Sequence, residues 1–509
     1  MVNDYRDFLK TVFEPESPLA KLYETENSFY LYDTGTNKIL ECREEVYRLL
    51  SNLMDSSDVD STIRSFIQHF SEEEFCRAAE EIKGAVEQEH ILKVQRIESF
   101  GLADHFKKDI NELLSSSVQS MTLEVTQDCN LRCVYCIYND FVARSRNHER
   151  KSMSLDVAKK AIRILEARSK ETKKVALGFY GGEPMLQFPM IKQLVKYTKE
   201  LFGKRDLLFH CTTNATLITD EMAEFLMEND FSVLVSFDGP ERYHDAFRKD
   251  RQGDGSFQKT LEGLKKLTTQ QRIIKKGSVS LNIVYTPPFG QAKLDELLQY
   301  FNGQDWLSGI DIMTSYPSSR TIPVANVEDV NKNEDKDLMQ WAFEIYREHF
   351  QNSSPMVKGI IEKQLAKIMK RPVFKHPSNQ CLLNGCCVPG HRKSYVTADG
   401  IIQMCEKMPD FVPALGHVDQ DFDVEAITRH YIESYSMESL EDCSRCWAVW
   451  MCEMCYVLAY NDNGDFDLRK KRGNCSIRIN SQERIIKYFS TLMEKHPEKI
   501  QYLYKYKLG

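Results

Sequence analysis

One stretch decides the fold of this chain: Met121-Thr-Leu-Glu-Val-Thr126, followed two residues later by Cys129-Asn-Leu-Arg-Cys133-Val-Tyr-Cys136. The first run is rich in β-formers and predicts a strand, so the three cysteines are expected on the loop that leaves it. Three thiolates on one loop can ligate three irons of a cubane cluster and leave the fourth iron without a protein ligand. A zinc site would need a fourth ligand, for which His148 is the close candidate in the sequence.

From Met121 onward the sequence alternates β-rich runs with amphipathic helical runs. Such βα repeats predict a parallel sheet whose functional residues lie at the carboxyl ends of the strands. The expected strands are Met121–Thr126, Lys174–Tyr180, Leu207–Thr213, Phe231–Phe237, Ser278–Tyr285 and Gly309–Thr314. Helices are expected at Leu155–Arg168, Met190–Leu201, Asp220–Glu228, Phe257–Leu267 and Ala292–Phe301. Six units of this kind predict an α/β fold with a partial (β/α)6, TIM-like barrel that is open on one side.

Polar segments follow the later strands. Phe179-Tyr-Gly-Gly-Glu183-Pro184 closes the second strand, and Thr213-Asn214 closes the third. Ser236-Phe-Asp-Gly-Pro240 closes the fourth strand and is followed by Arg248. Each segment alone is typical of a turn, where glycine allows close backbone approach. Together, after a cysteine loop, they resemble the radical S-adenosylmethionine (SAM) superfamily.

The resemblance implies that Cys129, Cys133 and Cys136 hold a [4Fe–4S] cluster whose open iron binds SAM. It also implies that the glycine turn meets the SAM amino group through its backbone, that Ser236 contacts the ribose or the carboxylate, and that Arg248 contacts the carboxylate. The residues expected at the SAM site are Tyr135, Gly181, Gly182, Glu183, Asn214, Ser236 and Arg248. An electron donor such as flavodoxin or ferredoxin is the implied partner.

Nine of the fifteen cysteines lie between Cys381 and Cys475. Their C-x-x-C pairs alone favour a zinc-ribbon array. Their order is instead similar to that of the SPASM domain, which carries two auxiliary [4Fe–4S] clusters, although two residues rather than the usual three separate Cys452 from Cys455. The resemblance implies one cluster on Cys381, Cys387, Cys405 and Cys455 and another on Cys443, Cys446, Cys452 and Cys475, with Cys386 as an alternative to Cys387. The chain would then hold three clusters.

Glu406 directly follows Cys405. In sulfatase-maturing members of the superfamily, an aspartate at the matching position serves as a base near the substrate. The resemblance therefore makes Glu406 a candidate catalytic base. A solvated carboxylate, or one that orients a cluster ligand, is the alternative interpretation of the same residue.

Residues 1–100 form a small α/β pattern that begins with a β-hairpin at 28–41. Helical patterns follow at about Glu44–Leu53, Asp60–His69 and Glu72–Glu87. Because such a small number of elements buries little apolar surface, we expect this module to dock on the rest of the chain. It resembles the winged-helix domain with which peptide maturases hold a precursor's leader as an added strand on a sheet edge. The residues expected to line that edge are Tyr30, Tyr32, Ile39 and Leu40. A packing domain without a ligand is the alternative.

The predicted organisation has five parts. They are the recognition module (1–100), the partial barrel (118–314), a linker with bridging helices (315–375), the SPASM domain (376–476) and a C-terminal helix (477–509). A net charge of −8 argues against nucleic-acid binding. No apolar run approaches the roughly 20 residues of a membrane span. The N-terminus lacks the pattern of a signal peptide, so the sequence predicts a cytoplasmic protein.

The combined features predict a radical SAM enzyme that modifies a ribosomally synthesised precursor peptide. The expected product is a thioether link between a cysteine sulfur and a carbon, as made by sactipeptide and ranthipeptide synthases. Alternatives within the superfamily are carbon–carbon crosslinking, epimerisation and sulfatase maturation, the last disfavoured by the module in front. A zinc-rich binding or scaffold protein is the alternative from another class.

Overall fold

A computed structural model describes residues 2–14, 16–56, 58–93, 97–100, 109–138, 148–317, 338–378, 380–381 and 387–506. In chain order the strands are β1 (Ala20–Glu24), β2 (Phe29–Asp33), β3 (Lys38–Cys42), β4 (Ser99–Phe100), β5 (Ser120–Thr126), β6 (Lys174–Gly181), β7 (Asp206–Thr213), β8 (Phe231–Ser236), β9 (Ser278–Val284), β10 (Asp311–Ser315), β11 (Gln380–Cys381), β12 (Ser394–Val396), β13 (Ile401–Gln403), β14 (Gly416–His417) and β15 (Asp421–Phe422). The helices are α1 (Val2–Phe13), α2 (Glu44–Asp55), α3 (Val59–His69), α4 (Glu72–Gln88), α5 (Ile110–Ser116), α6 (Leu155–Arg168), α7 (Phe188–Phe202), α8 (Asp220–Glu228), α9 (Glu241–Phe247), α10 (Phe257–Ile274), α11 (Gln291–Asn302), α12 (Leu338–His349), α13 (Pro355–Met369), α14 (Val424–Ile427), α15 (Ser434–Cys443), α16 (Leu468–Gly473), α17 (Cys475–Lys495) and α18 (Pro497–Ile500). Within these described residues, no helix is long and apolar enough to cross a bilayer.

A parallel sheet of six strands forms the centre of the molecule. Strands β5 to β10 follow one another in chain order, and each pairs in parallel with the next. Strand β5 pairs on its other side with β12, so β5 and β10 do not meet within the described sheet. The predicted α/β fold with a parallel sheet is therefore present, and its topology is consistent with a partial TIM barrel.

Strands β7, β8 and β9 have one buried face and one half-buried face, whereas β5 is buried on both faces. In β8, the buried residues Phe231, Val233 and Val235 alternate with half-buried ones. The buried residues join the main apolar core together with residues of α6 to α11. The opposite, concave face of the barrel carries the polar residues Tyr180, His210, Thr212, Ser232, Ser236, Ser280 and Asn282 together with the apolar residues Leu208, Leu234 and Val284, and we call this face the trough. These residues are half-buried, whereas a closed TIM barrel fills this space with packed branched apolar side chains.

The cysteine-rich C-terminal segment extends the same sheet. Strand β12 runs parallel to β5, and β13, β14 and β15 follow as an antiparallel meander. Helix α15 ends at Cys443, and α17 begins at Cys475. Because β5 belongs to both parts, the barrel and the cysteine-rich segment share one sheet.

The N-terminal residues form a separate layer. Strands β1, β2 and β3 make an antiparallel sheet, and α1 to α4 pack around a second apolar core. The layer docks on α17, where the hydroxyl groups of Tyr23 and Ser490 are 2.8 Å apart and Tyr30 donates to Glu494 at 2.9 Å. The docking that we expected from the small size of this module is therefore observed.

Two of the residues expected to line a peptide-binding edge are buried. Tyr30 and Tyr32 lie in β2, the central strand, and their exposed fractions are 6% and 0%. Tyr32 packs against the edge of Trp447. The prediction is wrong for these two tyrosines, because strand alternation does not reveal what covers each face. Ile39 and Leu40 lie in β3, which pairs with β2 alone among the described strands.

Several elements differ from their expected positions. Helix α1, strand β1 and helix α5 are not among the elements that the sequence predicts, and α5 lies between the predicted recognition module (1–100) and the predicted barrel (118–314). A capping box, in which Asp109 and Glu112 exchange hydrogen bonds with each other's backbone, starts α5. Helix α17 begins at Cys475, two residues before the predicted C-terminal part (477–509). Most of the expected linker, residues 318–337, lies outside the described residues.

Gly359 tests how tightly α13 packs against the edge of the barrel. A Cβ atom at this position would overlap the carbonyl oxygen of Ile312 in β10. We expect Gly359→Ala to lower the free energy of unfolding by about 1–3 kcal/mol, the usual result of overfilling a packed contact. Gly84→Ala in α4 is the matched control, since its Cβ would meet no atom within 4 Å. Helix propensity alone should then stabilise that variant by up to about 1 kcal/mol. Urea denaturation measures both, and equal stabilities would contradict the packing argument.

Candidate active site

The three cysteines of the deciding stretch lie on the loop that leaves β5, which we call the cluster loop (residues 127–138). Cys129 is only 7% exposed. Burial raises the pKa of all three thiols, that of Cys136 to about 12, and the neighbouring Cys133 adds to the rise at Cys129 and Cys136. Since the thiolate is the form that binds metal, loading a cluster here would displace three protons.

Hydrogen-bond donors of the protein point at two of these sulfurs. The backbone N–H of Leu131 donates to Sγ of Cys129 at 3.3 Å. The backbone N–H of Tyr138 donates to Sγ of Cys136 at 3.4 Å. The side-chain amide of Asn214 lies 3.8 Å from Sγ of Cys129. Such donors stabilise thiolates and tune the potential of a bound cluster. Asn214, expected at the SAM site, is therefore placed beside a cluster-loop sulfur.

The glycine turn that ends β6 packs directly on the cluster loop. The N–H of Gly182 donates to the carbonyl oxygen of Thr126, and the N–H of Glu183 donates to that of Asp128, both at 2.9 Å. A Cβ atom at Gly181 would overlap the carbonyl oxygen of Thr126, and φ of Gly181 is +134°. A Cβ atom at Gly182 would overlap that of Asp128. These two N–H groups therefore hold the loop, and an amino group, as a donor, would meet the turn through its carbonyl oxygens.

The carboxylate of Glu183 is engaged by protein donors. Its Oε1 accepts from the hydroxyl of Thr213 at 2.7 Å and from the N–H of Met185 at 3.0 Å. Its Oε2 accepts from the N–H of Asn214 at 2.7 Å. Burial raises the pKa of Glu183, and these donors oppose the rise. The side chain ties the end of β6 to the end of β7.

A buried cation lies beside the cluster loop. Arg248 is 5% exposed, and its Nη1 donates to the hydroxyl of Tyr135 at 2.6 Å. That hydroxyl donates to Asp238 at 2.5 Å. Burial raises the pKa of the Cys133 thiol, and the charge of Arg248 opposes the rise. The Nε of Arg248 is buried without a hydrogen-bond partner among the described residues. A guanidinium with an unused donor suits a carboxylate ligand.

The remaining SAM-site residue, Ser236, is half-buried at the carboxyl end of β8 and stands opposite Asn282 of β9. The structure therefore places the glycine turn, Asn214, Ser236, Tyr135 and Arg248 at one rim of the barrel. This is the end of the parallel strands where TIM-like folds keep their active sites.

His244 is a candidate positioning residue that sequence reasoning missed. The backbone N–H of Asp238 donates to its Nδ1 at 3.4 Å, and its Nε2 lies 3.1 Å from Oγ of Ser256. The Ser256 hydroxyl in turn donates to the carbonyl oxygen of Arg248 at 2.7 Å. Burial lowers the pKa of His244 to about 2, so the ring is neutral and Nε2–H is the donor to Ser256. The sequence signal that could have indicated this role is the position of His244 four residues before Arg248, one helical turn away.

Four cysteines of the C-terminal segment gather in one group. Burial raises the pKa of Cys446 to about 12, and the nearby Cys452, Cys443 and Cys475 add to the rise. Burial also raises the pKa of Cys452, and the nearby Cys443 and Cys475 add to that rise. This group has the same members as one of the two expected auxiliary ligand sets.

The other expected set is described in part. Cys405 and Cys455 are near enough to interact, and Lys393 faces both Cys405 and Cys387. Cys381 lies in β11, its side chain outside the description, and Cys386 is also outside the described residues. In the described part of the chain, no three His, Cys, Asp or Glu side chains surround a single metal-ion position.

Glu406 is paired with a lysine. Its Oε2 lies 2.5 Å from Nζ of Lys393. Burial would raise the pKa of Glu406, but Lys393 brings it below its ordinary value. An ion-paired carboxylate with a lowered pKa is a weak base, and the catalytic role of Glu406 stays a prediction. His210 of the trough lies near this pair, and burial lowers its pKa to about 4.

Residues 123–301 match the model of the Radical SAM superfamily. The chain contains a radical SAM domain. A cysteine-type anaerobic sulfatase-maturating enzyme of Clostridium novyi is 28% identical over 196 residues, which cover 37% of this chain and 49% of the relative. The radical SAM cyclopropyl synthase TigE of Paramaledivibacter caminithermalis is 24% identical over 266 residues, 50% of this chain and 54% of the relative. The chain spans about half the length of these curated relatives.

A solved structure shares the fold of the radical SAM domain and its surroundings. Native anSMEcpe with bound AdoMet superposes with a TM-score of 0.53 at 18% identity, over 76% of this chain and 99% of that chain. The radical SAM family uses a [4Fe–4S] cluster and SAM. The residues present fit both groups, because three buried or half-buried thiols share one loop and the Nε of the adjacent Arg248 has no protein partner among the described residues.

His244→Phe tests whether His244 holds Arg248 in place. The variant keeps an aromatic ring but removes both hydrogen bonds. Two polar groups then lose their partners inside the protein, so the free energy of unfolding should fall by about 1–3 kcal/mol. SAM should bind roughly 2- to 10-fold more weakly to the reconstituted protein because Arg248 is less firmly held. Equilibrium dialysis with SAM measures this affinity.

His244→Gln is the matched variant, since its amide can still donate to Ser256. It should recover part of the SAM affinity lost in His244→Phe. The same SAM affinity in wild type and in His244→Phe, with the cluster loaded in both, would contradict the positioning role.

Proposed function

We propose that this chain is a radical SAM enzyme that abstracts hydrogen from a ribosomally synthesised precursor peptide. The observation that carries the proposal is the juxtaposition of three thiols, buried Cys129 and half-buried Cys133 and Cys136, with the buried guanidinium of Arg248. Three thiolates leave one iron of a [4Fe–4S] cluster for a small ligand. Arg248 supplies a cation for the carboxylate of that ligand.

When bound, the cluster and SAM supply reductive cleavage of SAM to methionine and a 5′-deoxyadenosyl radical, with the electron from a donor such as flavodoxin or ferredoxin. The residues of the chain bind SAM and orient it at the cluster. Tyr135 holds the guanidinium of Arg248, whose free Nε meets the SAM carboxylate. Carbonyl oxygens of the glycine turn meet the amino group, and Ser236 meets the ribose or the carboxylate. Asn214 and two backbone N–H groups hold charge on the cysteine sulfurs.

The C-terminal segment is proposed to be a SPASM domain with two auxiliary [4Fe–4S] clusters. The proximity of Cys443, Cys446, Cys452 and Cys475 supports one of them. The proximity of Cys405 to Cys455, with Cys387 beside Lys393, supports the other. Cys381 completes that second set, with Cys386 as the alternative to Cys387.

A peptide is the proposed substrate. The trough carries half-buried hydroxyl, amide and imidazole groups beside apolar residues, so it can pair with the backbone of an extended peptide and contact its apolar side chains. The curated relatives include sulfatase-maturating enzymes, and the neighbouring structure anSMEcpe is also described with a bound Cp18Cys peptide. The leader of the precursor is proposed to add to the free edge of β3 at Ile39 and Leu40.

The proposed product is a thioether between a cysteine sulfur and a carbon of the peptide. One C–H and one S–H bond are then replaced by one C–S bond, so each link removes two hydrogens. The carbon's hydrogen leaves with 5′-deoxyadenosine, the sulfur's proton goes to solvent, and one electron passes to an acceptor, for which an auxiliary cluster is suited. Carbon–carbon crosslinking, epimerisation and sulfatase maturation are separate outcomes of the same first step.

SAM cleavage tests the first step. Anaerobically reconstituted protein should be brown, hold about twelve irons per chain, as three [4Fe–4S] clusters require, and release 5′-deoxyadenosine when reduced with dithionite. Arg248→Met should weaken SAM binding roughly 10- to 100-fold, the value of a charged hydrogen bond, without loss of iron. Arg242→Met, on the exposed side of α9, is the matched control and should bind SAM normally. A colourless zinc protein would contradict the proposal.

Coexpression with a peptide tests the second step. A small cysteine-containing peptide encoded beside the gene should lose two hydrogens per link by mass spectrometry, and its free thiols should fall in number with each link. A variant with Cys129, Cys133 and Cys136 replaced by alanine should leave the peptide unmodified. The same mass loss with all thiols free would point to carbon–carbon links instead. An unchanged mass with unchanged residue chirality would contradict a peptide substrate.

A further inference from the structure

A buried lysine contacts one cysteine of the C-terminal group. Lys471 of α16 is 3% exposed. Its Nζ lies 3.2 Å from Sγ of Cys443 and 2.5 Å from Oγ of Ser439. The same ammonium lies 4.7 Å from the centre of the Tyr435 ring. It is thus enclosed by a thiol, a hydroxyl and an aromatic face.

No carboxylate is within ion-pair distance of Lys471 among the described residues. The nearby acid, Asp442, is held by Arg472 through two hydrogen bonds of 2.6 and 2.8 Å. An ammonium removed from water is costly unless an opposite charge faces it. The groups that can carry such a charge here are Cys443 and its three neighbours, once they are thiolates.

We propose that Lys471 is the counter-charge of a [4Fe–4S] cluster on Cys443, Cys446, Cys452 and Cys475, and that it raises the reduction potential of that cluster. The inference rests on the auxiliary cluster of the proposed function. A [4Fe–4S]2+ core with four thiolates carries two negative charges, and one-electron reduction adds a third. A fixed positive charge in contact with a ligand sulfur therefore favours the reduced form.

The position of Lys471 separates it from the other cations of the same helix. Arg469 and Arg472 are exposed, so solvent and salt screen their charges. Lys470 is half-buried, and its Nζ donates to the carbonyl oxygen of Tyr460. Of these four cations, Lys471 is the buried one whose Nζ contacts Sγ of Cys443. The reduction potential should therefore depend on one side chain of α16.

The test is an anaerobic redox titration of the full chain, followed by electron paramagnetic resonance. A background with Cys129, Cys133, Cys136, Cys405 and Cys455 replaced by alanine leaves the last group as the source of the signal. Lys471→Met should shift the reduction equilibrium at least tenfold toward the oxidised form, which is a midpoint lower by about 59 mV for one electron. Lys471→Arg keeps the positive charge and should shift the midpoint less than Lys471→Met does. Arg469→Met is the matched control and should leave the midpoint unchanged.

Iron content separates the possible outcomes. Loss of iron in Lys471→Met but not in Lys471→Arg would support the counter-charge role through assembly rather than potential. A fully loaded Lys471→Met with an unchanged midpoint would overturn the inference and leave the proposed function intact. Equal loss of iron in both variants would overturn it as well. Absence of iron from this group in the parent background would instead overturn the auxiliary cluster on which it rests.

Discussion

The site depends on main-chain hydrogen bonds that clamp the cluster loop on both sides. On one side, the N–H groups of Gly182 and Glu183 donate to carbonyl oxygens at the start of the loop. A side chain at Gly181 or Gly182 would prevent this close approach. On the other side, the N–H of Arg132 donates to Lys249 at 2.6 Å and that of Val134 donates to Phe247 at 2.9 Å. The second contact region contains Arg248. The main chain that carries the three cysteines and Arg248 is therefore placed by backbone hydrogen bonds, and the hydroxyl of Tyr135 then holds the guanidinium.

The same arrangement of charge recurs at each group of cysteines. Arg248 acts on Cys133, Lys393 on Cys405, and Lys471 contacts Cys443. A cation that faces only neutral thiols would be poorly compensated, whereas one that faces metal-bound thiolates offsets their negative charge. Lys393 is already compensated by Glu406, so this argument applies to Lys471, which has no carboxylate within ion-pair distance among the described residues. In the proposed enzyme, Lys471 also sets how readily the neighbouring cluster accepts an electron.

The regular part of the fold could be predicted because its signals are local. The predicted ends of the six barrel strands lie within two residues of the observed ends. Both the β-rich runs and the motifs that follow them are recognised from residues adjacent in the sequence. Tyr30 and Tyr32 failed because their burial comes from α17 and Trp447, more than 400 residues away along the chain. Lys471 could not be found for the same reason. A lysine in a polar stretch predicts a solvated surface, and only the fold shows that this one is enclosed.

A buried carboxylate explains how the first cysteine group and the C-terminal segment keep their relative position. Glu124 of β5 is 0% exposed and accepts hydrogen bonds from Tyr138 at 2.8 Å and from Tyr395 at 3.0 Å. Tyr138 ends the cluster loop two residues after Cys136, whereas Tyr395 belongs to β12, beside the strand that leads to Cys405. One carboxylate thus joins both cysteine-bearing segments across a shared strand. Any electron transfer between the proposed clusters then depends on this sheet and its buried network.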